Sequence, residues 1–260
     1  MSHAIDYILH LADSAVVLGQ RNAEWCGHGP ILEEDLSLAN ISLDLIGQAR
    51  LLYQLAADLK ADGSTEDSLA FLRNTEEFRN YALLELPHRL PLVGYAKSDM
   101  DYGTTIVRNF LFSALMALVW ERLQASSNSQ LAGIAAKSLK EVRYHLRHSR
   151  DWLVRLGDGT QESHDRVQAA LDFLMPYTQE FWTTTPMEQE AARSGLGIEA
   201  ASVKADWDRL VAQAVSEATL RLPPTTGFVT QGKNCLHTEH LSFMLAEMQT
   251  LPRAHPGAVW

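Results

Sequence analysis

Apolar residues recur at intervals of three and four along most of the chain, and no stretch shows the period-two alternation of a β-strand. This pattern predicts helices nearly throughout. Four of them are long, and they are expected at about 3–24, 33–59, 101–124 and 130–156. Shorter helices are expected at about 65–73, 75–86, 162–182, 186–195, 198–220 and 236–250. The sequence therefore predicts an all-α protein.

The connections between the long helices indicate how they pack. The links at about 25–33 and 125–130 are short and favour antiparallel neighbours, whereas the link at 60–100 is long. Two helical hairpins joined by a long crossover form the ferritin-like four-helix bundle, here with additional helices. We expect residues 1–260 to form one such domain. By pattern alone, another α-helical bundle or a helical repeat is an equal alternative.

Composition narrows the class of protein. Of 260 residues, 46% are apolar and 21% are charged, and the formal net charge is −10. No basic surplus exists to neutralise phosphates, so neither nucleic acid nor an anionic membrane is expected as a partner. The apolar run near 110–120 is short for a membrane span, and the N-terminus lacks the features of a signal peptide. Two isolated cysteines, Cys26 and Cys235, suit a reducing compartment, so we expect a cytoplasmic protein.

Acidic residues lie in the middle of three long helices. The second helix is apolar almost all round, which is typical of a buried helix, and it contains Asp44. If the first hairpin turns near residue 28, Asp13 faces Asp44 at a similar depth. Glu141 lies at mid-height of the fourth helix. The three carboxylates are therefore expected to converge on one level of the bundle.

The ligands for a two-metal centre are nevertheless incomplete. A ferritin-like di-iron site uses four carboxylates and two histidines from Glu-x-x-His motifs. The expected histidine positions hold Gly47 and Tyr144, and the third helix has no carboxylate between Asp101 and Glu121. One interpretation is that Asp13, Asp44 and Glu141 are hydrogen-bonded core residues, and that some of them are remnants of a lost metal site. An atypical metal site is the alternative, and its candidate ligands are Asp13, Asp44, Glu141, His145 and His148.

Other polar clusters carry weaker signals. Arg143, Arg147 and Arg150 repeat at helical spacing and form a cationic row that faces solvent or a partner. The sequence HTEH at 237–240 lacks the spacing of a metal motif and favours a structural or interface role. Cys26 has no partner that would make it a nucleophile. No Gly-rich phosphate loop and no nucleophile elbow occurs in the sequence.

Several strings together resemble a known family over essentially the whole chain. They are EWCGHGP at 24–30, DLIGQAR at 44–50, KEVRYHLRHS at 140–149, GKNCLHTEHLSFMLAEMQ at 232–249 and the C-terminal Trp260. They resemble the PaaC family of phenylacetic acid degradation proteins, the second ferritin-like subunits of bacterial ring-1,2-phenylacetyl-CoA epoxidase. The resemblance implies a ferritin-like fold and a place in a multicomponent monooxygenase.

The resemblance also implies how the components divide the reaction. A related catalytic subunit, PaaA, carries the di-iron site and binds the CoA thioester, and a reductase with flavin and an iron–sulfur centre supplies electrons. The PaaC-like subunit is structural, so we expect no cofactor and no catalytic or metal-binding residue in this chain. The alternative hypotheses are an independent ferritin-like metalloenzyme and a regulatory binder of CoA esters.

Two surfaces are candidates for contact with such a partner. One is the arginine row described above. The other is the C-terminal segment 251–260, in which Val259 and Trp260 have no further helix to pack against. Aromatic and arginine side chains often dominate protein–protein contacts.

Overall fold

The computed structural model describes residues 2–89 and 100–258, and within these ranges it contains helices and no β-strand. The α-helices are α1 (Ser2–Ala23), α2 (Leu32–Lys60), α3 (Glu66–Phe71), α4 (Tyr102–Leu123), α5 (Ser129–Gly157), α6 (Gln161–Leu174), α7 (Pro186–Arg193), α8 (Lys204–Glu217) and α9 (Glu239–Ala254). Short 3-10 segments occupy Thr75–Glu77, Ala82–Glu85, Met175–Trp182, Ala200–Val203 and Gly232–Asn234.

The four long helices α1, α2, α4 and α5 begin and end within one residue of their predicted bounds. α1 packs against α2 and α4 packs against α5, and a short turn joins each pair. α2 also runs antiparallel to α5, since Glu34 contacts His148 whereas Gln48 contacts Glu141. This is a four-helix bundle of two hairpins with a long crossover, so the predicted ferritin-like fold is confirmed.

Side-chain caps fix where the second hairpin begins. Asp101 accepts the backbone N–H of Thr104 at 2.7 Å, and Asn128 accepts that of Leu131 at 2.9 Å. Each cap satisfies an otherwise unpaired donor at the start of α4 or α5. The C-terminal helices cover the bundle: α6 and α8 lie on α4 and α5, α7 lies on α1, and α9 lies on α3.

α4 is the central helix of the core. Although the run near 110–120 is short, the whole helix is long and apolar enough to cross a membrane by length and composition. However, 89% of its most apolar window is buried inside the fold, and Phe110 and Trp120 are fully buried. Its composition therefore fits the helix that the rest of the bundle surrounds.

The helix expected at 75–86 does not form. Two short 3-10 segments occupy this region, because buried carboxylates bind backbone donors that a helix would have used. Asp13 accepts the N–H of Arg79 at 2.8 Å, and Glu180 accepts the N–H of Ala82 at 3.0 Å. Likewise, the last part of the segment expected at 162–182 is a 3-10 segment rather than an α-helix.

The expectation that α2 is buried all round is wrong. Its inner face packs on α1, but Leu36 is 55% exposed and Leu43 is 66% exposed. Hydrophobic composition alone does not distinguish a core helix from one that keeps an apolar face outward.

Candidate functional site

Asp13 lies inside the bundle in a closed ion pair. It is fully buried, and both terminal guanidinium nitrogens of Arg73 donate to it. The hydroxyl of Tyr53 donates to it at 2.6 Å, and the backbone N–H of Arg79 donates at 2.8 Å. Burial of Arg73 opposes the charged form of its guanidinium, but the negative charge of Asp13 outweighs this effect and raises the pKa of Arg73 above its ordinary value. Both carboxylate oxygens of Asp13 are thus occupied by protein donors.

Asp44 is not buried, contrary to the sequence-based expectation. Its side chain is 36% exposed at the edge of α2 that faces α5. The buried ring of His145 donates from Nε2 to its carboxylate at 2.9 Å. The structure therefore pairs Asp44 of α2 with a histidine of α5.

Glu141 faces the same edge from α5. Gln48 donates from Nε2 to its carboxylate at 2.9 Å, and the ammonium of Lys137 lies 3.4 Å away. The side chain is 20% exposed. Glu141 therefore takes part in a polar contact between α2 and α5 that solvent partly reaches.

His148 belongs to a third polar contact between these helices, and its partner Glu34 was not identified from the sequence. Its Nε2 donates to Glu34 at 2.7 Å, and the hydroxyl of Tyr102 donates to the same carboxylate oxygen at 2.5 Å. Burial and the hydrogen bond to Glu34 raise the pKa of Tyr102. A signal was available in the sequence, because Glu34, Ile41 and Gln48 repeat at seven-residue spacing and so share one face of α2.

The three acids do not converge on one level, which corrects the expectation from the sequence. Asp13 is bonded to Tyr53, nine positions from Asp44 on the same helix. At 1.5 Å per residue these positions are about 13 Å apart along α2. The turn does lie around residue 28, between Ala23 and Leu32, but the two helices are offset along their axes. Gly19 of α1 packs against Ile46 of α2, so Asp13, six residues earlier, lies level with positions beyond Asp44.

The donor set does not fit a di-iron centre. Gly47 and Tyr144 stand where the two histidines would lie, and Tyr144 is 38% exposed rather than directed into the bundle. Over residues 2–89 and 100–258, no group of three or more His, Cys, Asp or Glu side chains is placed to hold a metal ion. The atypical five-residue site is likewise not assembled, since Asp13 is separated from Asp44, Glu141, His145 and His148, which line the contact between α2 and α5.

The remaining polar clusters are tied to other parts of the chain. His237 contacts Glu85 at 2.5 Å and the carbonyl of Phe78 at 2.8 Å, as expected of a structural histidine. The predicted arginine row is divided. Arg143 pairs with Glu121 at 3.5 Å, and Arg150 pairs with Glu217 on α8.

The C-terminal segment folds back on its own bundle over part of its length. Arg253 donates to the carbonyls of Leu72 at 3.2 Å and Arg73 at 3.0 Å. Val259 and Trp260, on which the docking expectation depended, lie outside the described residues.

A cleft of about 430 Å³ opens beside the turn between α1 and α2. Aromatic rings of Trp25, Tyr102 and Trp152 line it, together with the guanidinium of Arg166. That guanidinium donates to Asp101 at 2.9 Å. The cleft is therefore mainly apolar, and its arginine is already paired with a carboxylate.

Comparison with known proteins shows which family the chain resembles over its whole length. The model of a family described as phenylacetic acid catabolic protein matches residues 1–260. The chain is also similar to one of the subunits of the 1,2-phenylacetyl-CoA epoxidase of Escherichia coli (strain K12), with 42% identity over 260 residues and complete coverage of both chains.

Proposed function

Because this chain belongs to the phenylacetic acid catabolic protein family, we propose that it is a non-catalytic structural subunit of a multicomponent monooxygenase that epoxidises phenylacetyl-CoA in aerobic phenylacetate catabolism. Its relative in Escherichia coli is named as one subunit of such an epoxidase, at 42% identity over the full length. A protein of this kind functions with other components.

One observation supports the non-catalytic role above the others. Each of the five candidate ligands contacts another protein group; these are Asp13, Asp44, Glu141, His145 and His148. Asp13 is held by Arg73, and Asp44 is held by His145. At Asp13 the guanidinium of Arg73 supplies the counter-charge that a bound cation would otherwise supply, and it contacts both carboxylate oxygens. The bundle thus has the form of a di-iron subunit with different side chains at the ligand positions.

The partner proposed for this chain is a catalytic ferritin-like subunit of the PaaA type, which would carry the di-iron centre and bind the CoA thioester. The reductase would supply electrons to that subunit. We propose that the assembly lies in the cytoplasm, with neither nucleic acid nor membrane as a partner. The net charge of −10 agrees with both exclusions.

Epoxidase turnover measured with purified components tests this role. The PaaA-type subunit and the reductase are assayed with and without this chain, and the melting temperature of the PaaA-type subunit is recorded in both samples. Binding to the folded partner should raise its melting temperature by mass action, and turnover should rise with it.

Two outcomes would overturn the proposal. Equal turnover and equal melting temperature in both samples would exclude a supporting role. Turnover by this chain with the reductase alone would make it an independent metalloenzyme. A titration of the isolated chain with phenylacetyl-CoA tests the alternative that the chain is a regulatory binder of CoA esters. A structural subunit should show no saturable binding.

A further inference from the structure

Two asparagines buried in the bundle have no hydrogen-bond partner among the described residues. Asn22 on α1 is 0% exposed, and Asn109 on α4 is 2% exposed. In both side chains the amide oxygen and the amide nitrogen are unpaired. Buried polar groups in native proteins are nearly always hydrogen-bonded, because an unpaired group has lost its hydration without compensation. The two amides therefore need a partner that the protein does not supply.

The two asparagines lie at the same level on facing helices. Where α1 ends and α4 begins, the indole of Trp25 donates from Nε1 to the hydroxyl of Thr105 at 3.0 Å. Asn22 is one turn before Trp25 and accepts its backbone N–H at 3.1 Å. Asn109 is one turn after Thr105. Because α1 and α4 run in opposite directions, both steps lead the same way along the bundle, and they place the two asparagines at the next level.

A second contact fixes the same register. The ring of His88 donates from Nε2 to the carbonyl of Arg21 at 2.5 Å, and its other nitrogen accepts from Nη2 of Arg108 at 2.8 Å. Each arginine directly precedes one of the asparagines in the sequence, so His88 holds these turns of α1 and α4 side by side. The arginines face the crossover, where both donate to backbone carbonyls. One residue further is a rotation of about 100°, which turns Asn22 and Asn109 toward the interior between the hairpins.

Water is the ligand that suits this pair of amides. Each amide is neutral and offers both a donor and an acceptor. A buried water typically makes about three hydrogen bonds to groups that would otherwise be unpaired, and two facing amides can supply them. A hard metal cation prefers carboxylates, and an anion needs a positive charge that neither amide carries.

We infer that at least one ordered water molecule is bound between Asn22 and Asn109, where it bridges the first helical hairpin to the second inside the bundle. This site joins α1 to α4, whereas the acid and histidine contacts described above join α2 to α5. It does not depend on the proposed function. It explains why two amides are retained at positions that apolar side chains could have filled.

High-resolution crystal structures of the unaltered chain and of the double variant Asn22→Leu/Asn109→Leu test this site directly. The unaltered chain should show an electron-density peak within hydrogen-bond distance of both amides. The double variant should lack it, since leucine is close to asparagine in shape but has no polar atom. A direct hydrogen bond between the two amides with no water between them would overturn the inference, as would two amides with no partner at all.

Melting temperatures give a second test, in which the sign depends on whether water is bound. If water pairs both amides, each single variant leaves the remaining amide without its partner and should melt about 2–8 °C below the unaltered chain. The double variant removes both amides and should melt above either single variant. In a dry core, each single variant would remove two unpaired atoms and melt above the unaltered chain, against the inference.

Gln249→Met is the matched control. Gln249 is buried on α9, and its amide nitrogen donates to the carbonyls of Ala70 at 3.2 Å and Arg73 at 3.0 Å. Its loss should also lower the melting temperature, but the losses of Gln249→Met and Asn109→Leu should add when combined. Equal non-additivity in this pair and in the asparagine pair would contradict a specific link between Asn22 and Asn109. Circular dichroism shows that each variant is folded, and the crystal structure of the unaltered chain decides the question without any variant.

Discussion

At the scale of single residues, Asp13 and Asp44 show how burial decides the role of a carboxylate. Asp13 is fully buried and contacts Arg73, whose side chain is 9% exposed, so each charge depends on the other. Asp44 is 36% exposed and solvent shares the stabilisation of its charge. Although Asp13 and Asp44 both lie in the middle of long helices, the ion pair of Asp13 should contribute more to the free energy of unfolding than the contact of Asp44.

Asp13→Asn should lower the free energy of unfolding by about 3–5 kcal/mol, because it leaves the guanidinium of Arg73 buried without a counter-charge. Asp44→Asn is the matched control and should cost less than about 1 kcal/mol, as is usual for a partly exposed pair. Urea unfolding followed by circular dichroism gives both values. Equal losses for the two variants would contradict the burial difference.

His10 makes stability depend on pH. Burial, together with the charge of Lys233, lowers its pKa to about 4. The neutral ring donates to the carbonyl of Arg79 at 2.7 Å. Because the unfolded chain takes up this proton near pH 6.5 and the folded chain does not, stability present above pH 6.5 should be lost as pH falls toward 4.

His10→Asn should remove that contribution while keeping a donor for the carbonyl. Between pH 6 and 4.5 its unfolding free energy should fall less steeply than that of the unaltered chain, by up to about 1.4 kcal/mol per pH unit. His88, whose pKa is also lowered by burial, keeps part of the slope in both proteins. His3→Asn, a more exposed position on the same helix, is the control. Identical slopes for His10→Asn and the unaltered chain would exclude this origin.

At the scale of elements, the sequence predicts the four bundle helices closely because each is long and strongly periodic. It does not predict the 3-10 turns of the crossover, since these depend on Asp13 and Glu180, which are distant in sequence and bind backbone donors there. Nor does it predict the exposed face of α2, because an apolar row looks the same whether it meets a core or a partner. The absence of the two histidines, in contrast, can be read directly from Gly47 and Tyr144.

The register of helices cannot be read from one sequence either. The pairing of Asp13 with Tyr53 rather than with Asp44 depends on how α1 and α2 are offset along their axes. A shift of a few residues changes which side chains share a level by several ångströms at 1.5 Å per residue. Candidate ligands on different helices are for this reason the least certain part of a site predicted from sequence.

The end of α5 makes a close contact with α8 that can be tested by one methyl group. A Cβ added at Gly157 would lie 2.3 Å from the carbonyl oxygen of Ala218. Gly157→Ala should therefore destabilise the protein by about 1–3 kcal/mol. Gly133→Ala, on the same helix with nothing within 4 Å, should stabilise it by about 0.5–1 kcal/mol. The opposite signs should be visible in thermal unfolding, and a stabilised Gly157→Ala would refute the close contact.

At the scale of the whole molecule, the bundle combines an interior whose acids are paired with an exterior that keeps an apolar face on α2. The pairing of the interior acids leaves fewer ligands for a di-iron centre. The exposed apolar face of α2 offers a surface for a partner. Under the proposed function, the fold is retained while another subunit carries out the chemistry.

Metal content separates a structural subunit from an independent metalloenzyme most directly. The isolated chain is purified without chelator, incubated with ferrous iron under argon, desalted and measured by elemental analysis. It should retain less than about one tenth of an equivalent of iron or manganese, because its carboxylates are bonded to protein groups and both ligand histidines are absent. Retention of about two metal ions per chain, lost in the variants Asp44→Ala and Glu141→Ala, would contradict this account.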